Sequence, residues 1–230
     1  MSQDLNTQAS QLGFSNAKDL LATNTVLRNT YIMLSLTLLF SAFTAMVAMS
    51  QNAAPMNFVL MLVVVIGFPF LLQATKNSPL GIVFTFAYTG FIGWMLGPIL
   101  NMYIANFSNG SEIIMMALGS TGLIFLGLSA FALNTKRNFS HWGRMLFIGM
   151  IVAFVASLLN IFLFKIPAFQ LAISVLFSIV SAGYIMYMTN SIVHGGEKNY
   201  LVATVILYVS IINIFLTLLQ LLSLFAGNRN

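Results

Sequence analysis

The chain has 230 residues, 59% of them hydrophobic and 6% charged, with nine Lys and Arg against four Asp and Glu, a net charge of +5 and no cysteine. A soluble domain carries roughly 25% charged residues because its core must be covered by a solvated shell; this composition excludes one, and the same apolar excess excludes intrinsic disorder. The lack of cysteine removes disulfides, thiolate metal sites, iron–sulfur clusters and cysteine nucleophiles, and cations dispersed along the whole length make no nucleic-acid-binding patch.

Residues 1–25 form a polar tail, with Asp4, Lys18 and Asp19, and lack the apolar centre behind a basic start that marks a signal peptide. Residues 26–230 read as one transmembrane domain. About 20 helical residues cross a hydrocarbon core of about 30 Å, and apolar runs of that length recur over Thr30–Met49, Met56–Ala74, Leu80–Leu100, Glu112–Leu133, Trp142–Phe164, Ala168–Thr189 and Tyr200–Ala226. Turn-forming residues separate them: Asn52 and Pro55, Asn77 to Pro79, Asn106 to Ser111, Asn134 to Ser140, Lys165 to Pro167, and His194 to Asn199. The runs lack period-two alternation and are about twice the length of a barrel strand, so they predict helices.

The predicted fold class is an all-α polytopic membrane protein, a bundle of seven transmembrane helices. Lys18, Arg28, Lys76, Lys136, Arg137, Arg144 and Lys198 fall on one side of the seven spans, and Lys165 and Arg229 on the other. That bias predicts a cytoplasmic N-terminus and an outside C-terminus. It would vanish if the second span, interrupted by Gly67 and Pro69, were only re-entrant. Pro69 predicts a kink there.

Lipid gives helices no hydrophobic reason to associate, so small residues that let backbones approach mark their contacts. Gly93 and Gly97 on the third span, Gly149, Ala153 and Ser157 on the fifth, and Ser174, Ser178 and Ala182 on the sixth form three such seams. On the last span Ser210, Asn213, Thr217 and Gln220 fall at steps of three, four and three and share one stripe. Lipid penalises such a stripe, so the last helix is expected inside the bundle. Interhelical hydrogen bonds and a water-lined path both fit it.

Chemistry is removed largely by subtraction. His141 and His194 lie in loops; Asp4 and Asp19 are in the tail, Glu112 starts a span, and Glu197 is in a loop. Paired buried carboxylates, a His-Glu-x-x-His helix and a base beside a serine are all missing. The expectation is a non-enzyme without cofactor or metal. Ion pathways usually keep an ionisable residue inside a span, and here Asn160, Asn213, Gln220, Tyr184 and Tyr187 are the interior polar groups left to coordinate or gate.

Several segments, in order, carry a resemblance. They are Thr25-Val26-Leu27-Arg28-Asn29-Thr30-Tyr31 before the first span, Gly97-Pro98-Ile99-Leu100 closing the third, and Gly183-Tyr184-Ile185-Met186-Tyr187 late in the sixth. His194-Gly195-Gly196-Glu197-Lys198-Asn199-Tyr200 and Leu207-Tyr208-Val209-Ser210-Ile211-Ile212-Asn213-Ile214-Phe215 follow. Their order and spacing resemble the Bax-inhibitor (TMBIM) family and its bacterial YccA-like branch, from about Leu21 to the end. The resemblance implies a last helix surrounded by the other six. Calcium-leak members of the family carry one aspartate on the sixth helix and one on the seventh; the matching positions here are Met188 and Ser210. A pH-switched carboxylate pair cannot operate in that form. The resemblance implies instead a protein of the bacterial inner membrane that partners and restrains an AAA protease of the FtsH type, or modulates a stress response, with the tail Met1–Thr23 as a handle. The alternative is a cation (calcium) leak or transporter at the interface of the sixth and seventh spans, with Met188, Ser210, Asn213, Tyr184 and Tyr187 as the candidate interior positions.

Overall fold

The computed structural model describes the backbone over residues 2–227 and the side chains over residues 23–225. Its helices are α1 (Ser2–Ser50), α2 (Phe58–Thr75), α3 (Pro79–Asn106), α4 (Gly110–Asn134), α5 (Trp142–Leu159), α6 (Pro167–Val193) and α7 (Tyr200–Gly227), with a π-helical turn at Asn160–Phe164 closing α5. Among the described residues all seven helices are long and apolar enough to cross a membrane; in α1 that stretch is Thr23–Ser50. The chain is therefore a seven-helix transmembrane bundle. The tail Met1–Thr23, read as a handle, falls almost entirely outside the residues whose side chains are described.

The helix starts follow local chemistry. Asn57 Oδ1 accepts from the Val59 N–H at 2.9 Å and caps α2. Pro79 and Pro167 open α3 and α6, where a missing N–H costs nothing. Asn199 Oδ1 accepts from the Leu201 and Val202 N–H groups at 3.0 and 3.1 Å and caps α7. The α5–α6 turn is tighter. Asn160 Nδ2 donates to the Ile166 carbonyl at 3.2 Å and to Gln170 Oε1 at 3.1 Å, and its Oδ1 accepts from the Ile166 N–H at 3.1 Å. Lys165 turns the corner with φ of 52°.

The third span runs further than the sequence suggested. The segment ending in Gly97-Pro98-Ile99-Leu100 does not close α3, which runs on to Asn106. Pro98 removes only the bond to the Trp94 carbonyl, and helix continuation still satisfies every later backbone group, which lipid demands. Pro69 is likewise accommodated inside one continuous α2.

Packing organises around α7. In its most apolar stretch 61% of residues are buried, the highest share of the seven, as the polar stripe predicted. Its core partners include Leu34 of α1 and Ile185, Met188 and Ile192 of α6, packed on Ala203, Leu207, Tyr208, Ile211 and Ile214. A second cluster joins Ile113, Ile114 and Ala117 of α4 to Phe215 and Leu219. A third joins Leu72 of α2 and Tyr88 of α3 to Val205.

The most extensive contact between two helices is α1 against α3. It rests on the Gly93 and Gly97 seam, extended by Gly90. A Cβ at Gly90 would stand 2.5 Å from a Phe40 ring carbon, one at Gly97 2.5 Å from Ala48 Cβ, and one at Gly93 would overlap the Ser41 carbonyl and Thr44 Oγ1. At Gly93 and Gly97 the obstacle is the α1 backbone and the Ala48 methyl, so only hydrogen fits, whereas at Gly90 it is the Phe40 ring, which would have to turn aside. Between α5 and α6 glycines receive side-chain ends instead of backbone: a Cβ at Gly143 would meet the Tyr187 hydroxyl at 2.6 Å, one at Gly183 would meet Leu146 Cδ2 at 2.6 Å, and one at Gly149 of the predicted seam would meet Val180 Cγ2 at 3.2 Å.

Candidate functional site

The candidate interior positions lie where α6 and α7 pack. Met188 is 3% exposed and sits in the central apolar cluster. Ser210 is 2% exposed, and its hydroxyl is used locally, donating to the Ile206 carbonyl one turn back at 2.8 Å. That bond spends the hydroxyl hydrogen within the helix, and a neutral hydroxyl oxygen without a carboxylate beside it is a weak cation ligand. Asn213 is half-buried and donates through Nδ2 to Ser181 Oγ at 3.2 Å. One turn on, the Thr217 hydroxyl lies 2.9 Å from both the Ser174 carbonyl of α6 and its own-helix Asn213 carbonyl. Ser210, Asn213 and Thr217 therefore use their polarity within the α6–α7 contact, and two of them bind α7 to α6.

Tyr187 packs on the edge of the central cluster that holds Met188 and reaches from there to α5. The Tyr184 and Tyr187 rings meet edge to face at a centroid distance of 6.3 Å, and Tyr187 presses its hydroxyl end against Gly143 of α5. The structure thus brings Met188, Ser210 and Asn213 into the α6–α7 interior, with Tyr187 bridging from that cluster to α5 and Tyr184 set against the Tyr187 ring. Among the described residues no group of three His, Cys, Asp or Glu is placed to share a metal ion.

Three residues outside the candidate set do more to fix the interior. Tyr208 is fully buried; its hydroxyl lies 2.6 Å from Ser41 Oγ and donates to the Thr89 carbonyl at 3.1 Å, joining α7, α1 and α3. Asn190, also fully buried, accepts the Phe139 N–H through Oδ1 and donates through Nδ2 to the Arg137 carbonyl, both at 2.9 Å. It pins the α4–α5 loop to α6. Its own carbonyl meets His194 Nδ1 at 2.9 Å. Asn199 donates to the Lys76 carbonyl at 2.8 Å and to Asn77 Oδ1 at 3.2 Å, pinning the α2–α3 loop to the start of α7. The three loops on this side of the bundle, which carry Lys76, Lys136, Arg137 and Lys198, are therefore fixed by two asparagines. The available signal was an asparagine near the end of an apolar run, where it costs insertion energy and needs a partner.

These features define a class: a helical integral membrane protein with a tightly satisfied interior and an ordered set of basic loops on one side. Residues 23–228 match the family described as "Inhibitor of apoptosis-promoting Bax1". A protein of Escherichia coli (strain K12) named "Modulator of FtsH protease YccA" is 47% identical over 203 residues, covering 88% of this chain and 91% of its own. The E. coli O6:H1 counterpart, at the same identity and coverage, is named "Inner membrane protein YccA". An "Uncharacterized membrane protein" of Vibrio cholerae is 42% identical over 215 residues, covering 93% of this chain and 96% of its own. The chain belongs to the Bax-inhibitor family.

Proposed function

We propose that this protein is a non-enzymatic modulator of a membrane-bound AAA protease of the FtsH type, set in the bacterial inner membrane with its N-terminus in the cytoplasm. The observation that carries the reading is the 47% identity, over nearly the full length of both chains, to a relative named as a modulator of that protease. The interior supports it. The two positions at which family calcium leaks hold carboxylates are occupied by a packed methionine and a self-satisfied serine, Met188 and Ser210. A bundle of this kind acts as a scaffold, presenting the tail and the loops held by Asn190 and Asn199 to a cytoplasmic partner. The excess of Lys and Arg on those loops supports the orientation.

Removing residues 1–22, ahead of the membrane-crossing Thr23–Ser50, tests the partnership. The expected result is a longer lifetime of the protein in cells and weaker restraint of the protease on its membrane substrates. Unchanged lifetime together with unchanged protease activity counts against the reading. A calcium-flux assay in liposomes separates it from the leak: wild type is expected to be silent. Flux through wild type equal to that of the Met188→Asp, Ser210→Asp double variant would make the cation leak the better account.

A further inference from the structure

A cavity of about 450 Å³ lies among α1, α3, α4 and α7. It falls in the size range of small-molecule sites, roughly 300–1,000 Å³. We propose that it seats one acyl chain of a bilayer phospholipid, entering sideways between α1 and α4.

The walls decide what can occupy it. Nearly all lining atoms are apolar, from residues such as Ala42, Ala45, Leu96, Gly122, Ile212 and Phe215. Its hydroxyls, Ser41 and Thr121, have their hydrogens committed. Thr121 donates to the Ala117 carbonyl at 2.7 Å. Tyr208 donates its own hydrogen to the Thr89 carbonyl, so the 2.6 Å contact with Ser41 is made by the serine hydrogen. A water needs two to four polar partners, and this chamber offers no free donor, only the lone pairs of these two hydroxyl oxygens in an otherwise apolar wall. It is suited to hydrocarbon.

The entrance is lateral. α1 and α4 barely touch. On the side where α1 begins, their gap is closed by Tyr31 and Phe125, with ring centroids 6.0 Å apart. On the side where α1 ends, the cluster of Ile113, Ala117, Phe215 and Leu219 packed with Leu100 and Tyr103 blocks the way along the bundle. Between these stops Met46 and Leu118 stand exposed on the rim, facing what is bilayer in the native setting. The dimension also fits. The α1 wall runs from Leu38 to Met49, about 16 Å at roughly 1.5 Å per residue. That is about half of a hydrocarbon core of about 30 Å, the depth of one leaflet.

The test uses the full chain in vesicles of phosphatidylethanolamine and phosphatidylglycerol, containing a phosphatidylglycerol with a photoreactive diazirine on its acyl chain. After photolysis and peptide mapping, adducts on Ala42–Met49 and Leu118–Phe125 are expected to exceed those on the lipid-facing surface of α2 several-fold. Gly122→Phe, and the milder Gly122→Leu, should reduce them to the α2 level. Gly127→Phe, on the same helix but away from the cavity, should leave them unchanged; a Cβ at either glycine meets nothing within 4 Å. Even labelling of all lipid-facing helices, or a pattern unchanged in both Gly122 variants, overturns the proposal. So does rapid reaction of an Ala45→Cys variant, whose thiol is unique in a chain without cysteine, with a water-soluble maleimide. That result would mean an aqueous chamber. Crosslinking of these segments to a helix of another protein in native membranes, in place of lipid, would overturn it as well.

Discussion

Helices α2 and α7 are equally apolar by mean hydropathy, yet 6% of one and 61% of the other is buried. Hydropathy therefore sends both into the membrane and says nothing about where in the bundle each belongs. The difference lies in what interrupts the apolar background. Helix α7 carries Thr204, Tyr208, Ser210, Asn213, Thr217 and Ser223, all with hydrogen bonds. Helix α2 carries polar side chains only near its end, at Gln73 and Thr75. It is held by aromatic contacts: Phe68 stacks on Tyr88 at 5.7 Å, and Phe58 meets Phe162 edge to face at 5.8 Å. In lipid, polar and small groups choose the neighbours.

Substitutions can break this contrast. The largest effect is expected from adding bulk to a close helix contact. Gly93→Leu drives a side chain into the α1 backbone and should destabilise the bundle by about 3 kcal/mol or more. The same change at Gly67 of α2, where a Cβ meets open space, should stay within about 0.5 kcal/mol. Unfolding in mixed micelles, followed by circular dichroism, compares the two; equal losses would abolish the distinction between buried and peripheral helices.

A smaller effect is expected from Tyr208→Phe, which leaves the shape and removes the hydroxyl shared with Ser41 and Thr89. The loss should be about 1–2 kcal/mol. Asn190→Leu should cost a similar amount, but locally: the α4–α5 loop around Arg137 to Phe139 loses both its ties to α6. Hydrogen exchange at the Phe139 amide should quicken while that of α2 stays constant. The smallest is Asn213→Val, which deletes one interhelical bond to Ser181, expected at roughly 0.6 kcal/mol, the average for such bonds in a membrane. A thermal-shift series with these variants orders them, and Asn213→Val outweighing Tyr208→Phe would show that the α6–α7 stripe, not the tyrosine, organises the interior.

The same contrast explains what could be read in the sequence. Seven crossings followed from run length, and the interior position of α7 followed from the spacing of Ser210, Asn213, Thr217 and Gln220, because both signals are local to one helix. The Gly93 and Gly97 seam was visible, but its partner was not; that the opposing wall is Phe40, Ser41, Thr44 and Ala48 depends on how two distant segments meet. Tyr208, Asn190 and Asn199 were passed over for this reason. Each finds its acceptor or donor on another part of the chain, at Thr89, at Arg137 and Phe139, and at Lys76. Met188 and Ser210, taken from the family pattern, are buried; of the polar positions taken from the residues themselves, Asn213 bonds to α6 and Tyr187 bridges the central cluster and α5. Helix periodicity gives a face but not the identity of the neighbour it meets.

The glycine seam between α1 and α3 has a mechanical consequence. A motor that gripped the chain at its N-terminal end would load α1 first, and α1 is the helix with the longest zipped contact in the bundle. Force applied along its axis would shear Phe40, Thr44 and Ala48 past Gly90, Gly93 and Gly97 together rather than peeling them one at a time. Extraction from that end would therefore begin against the most extensive helix pair in the bundle.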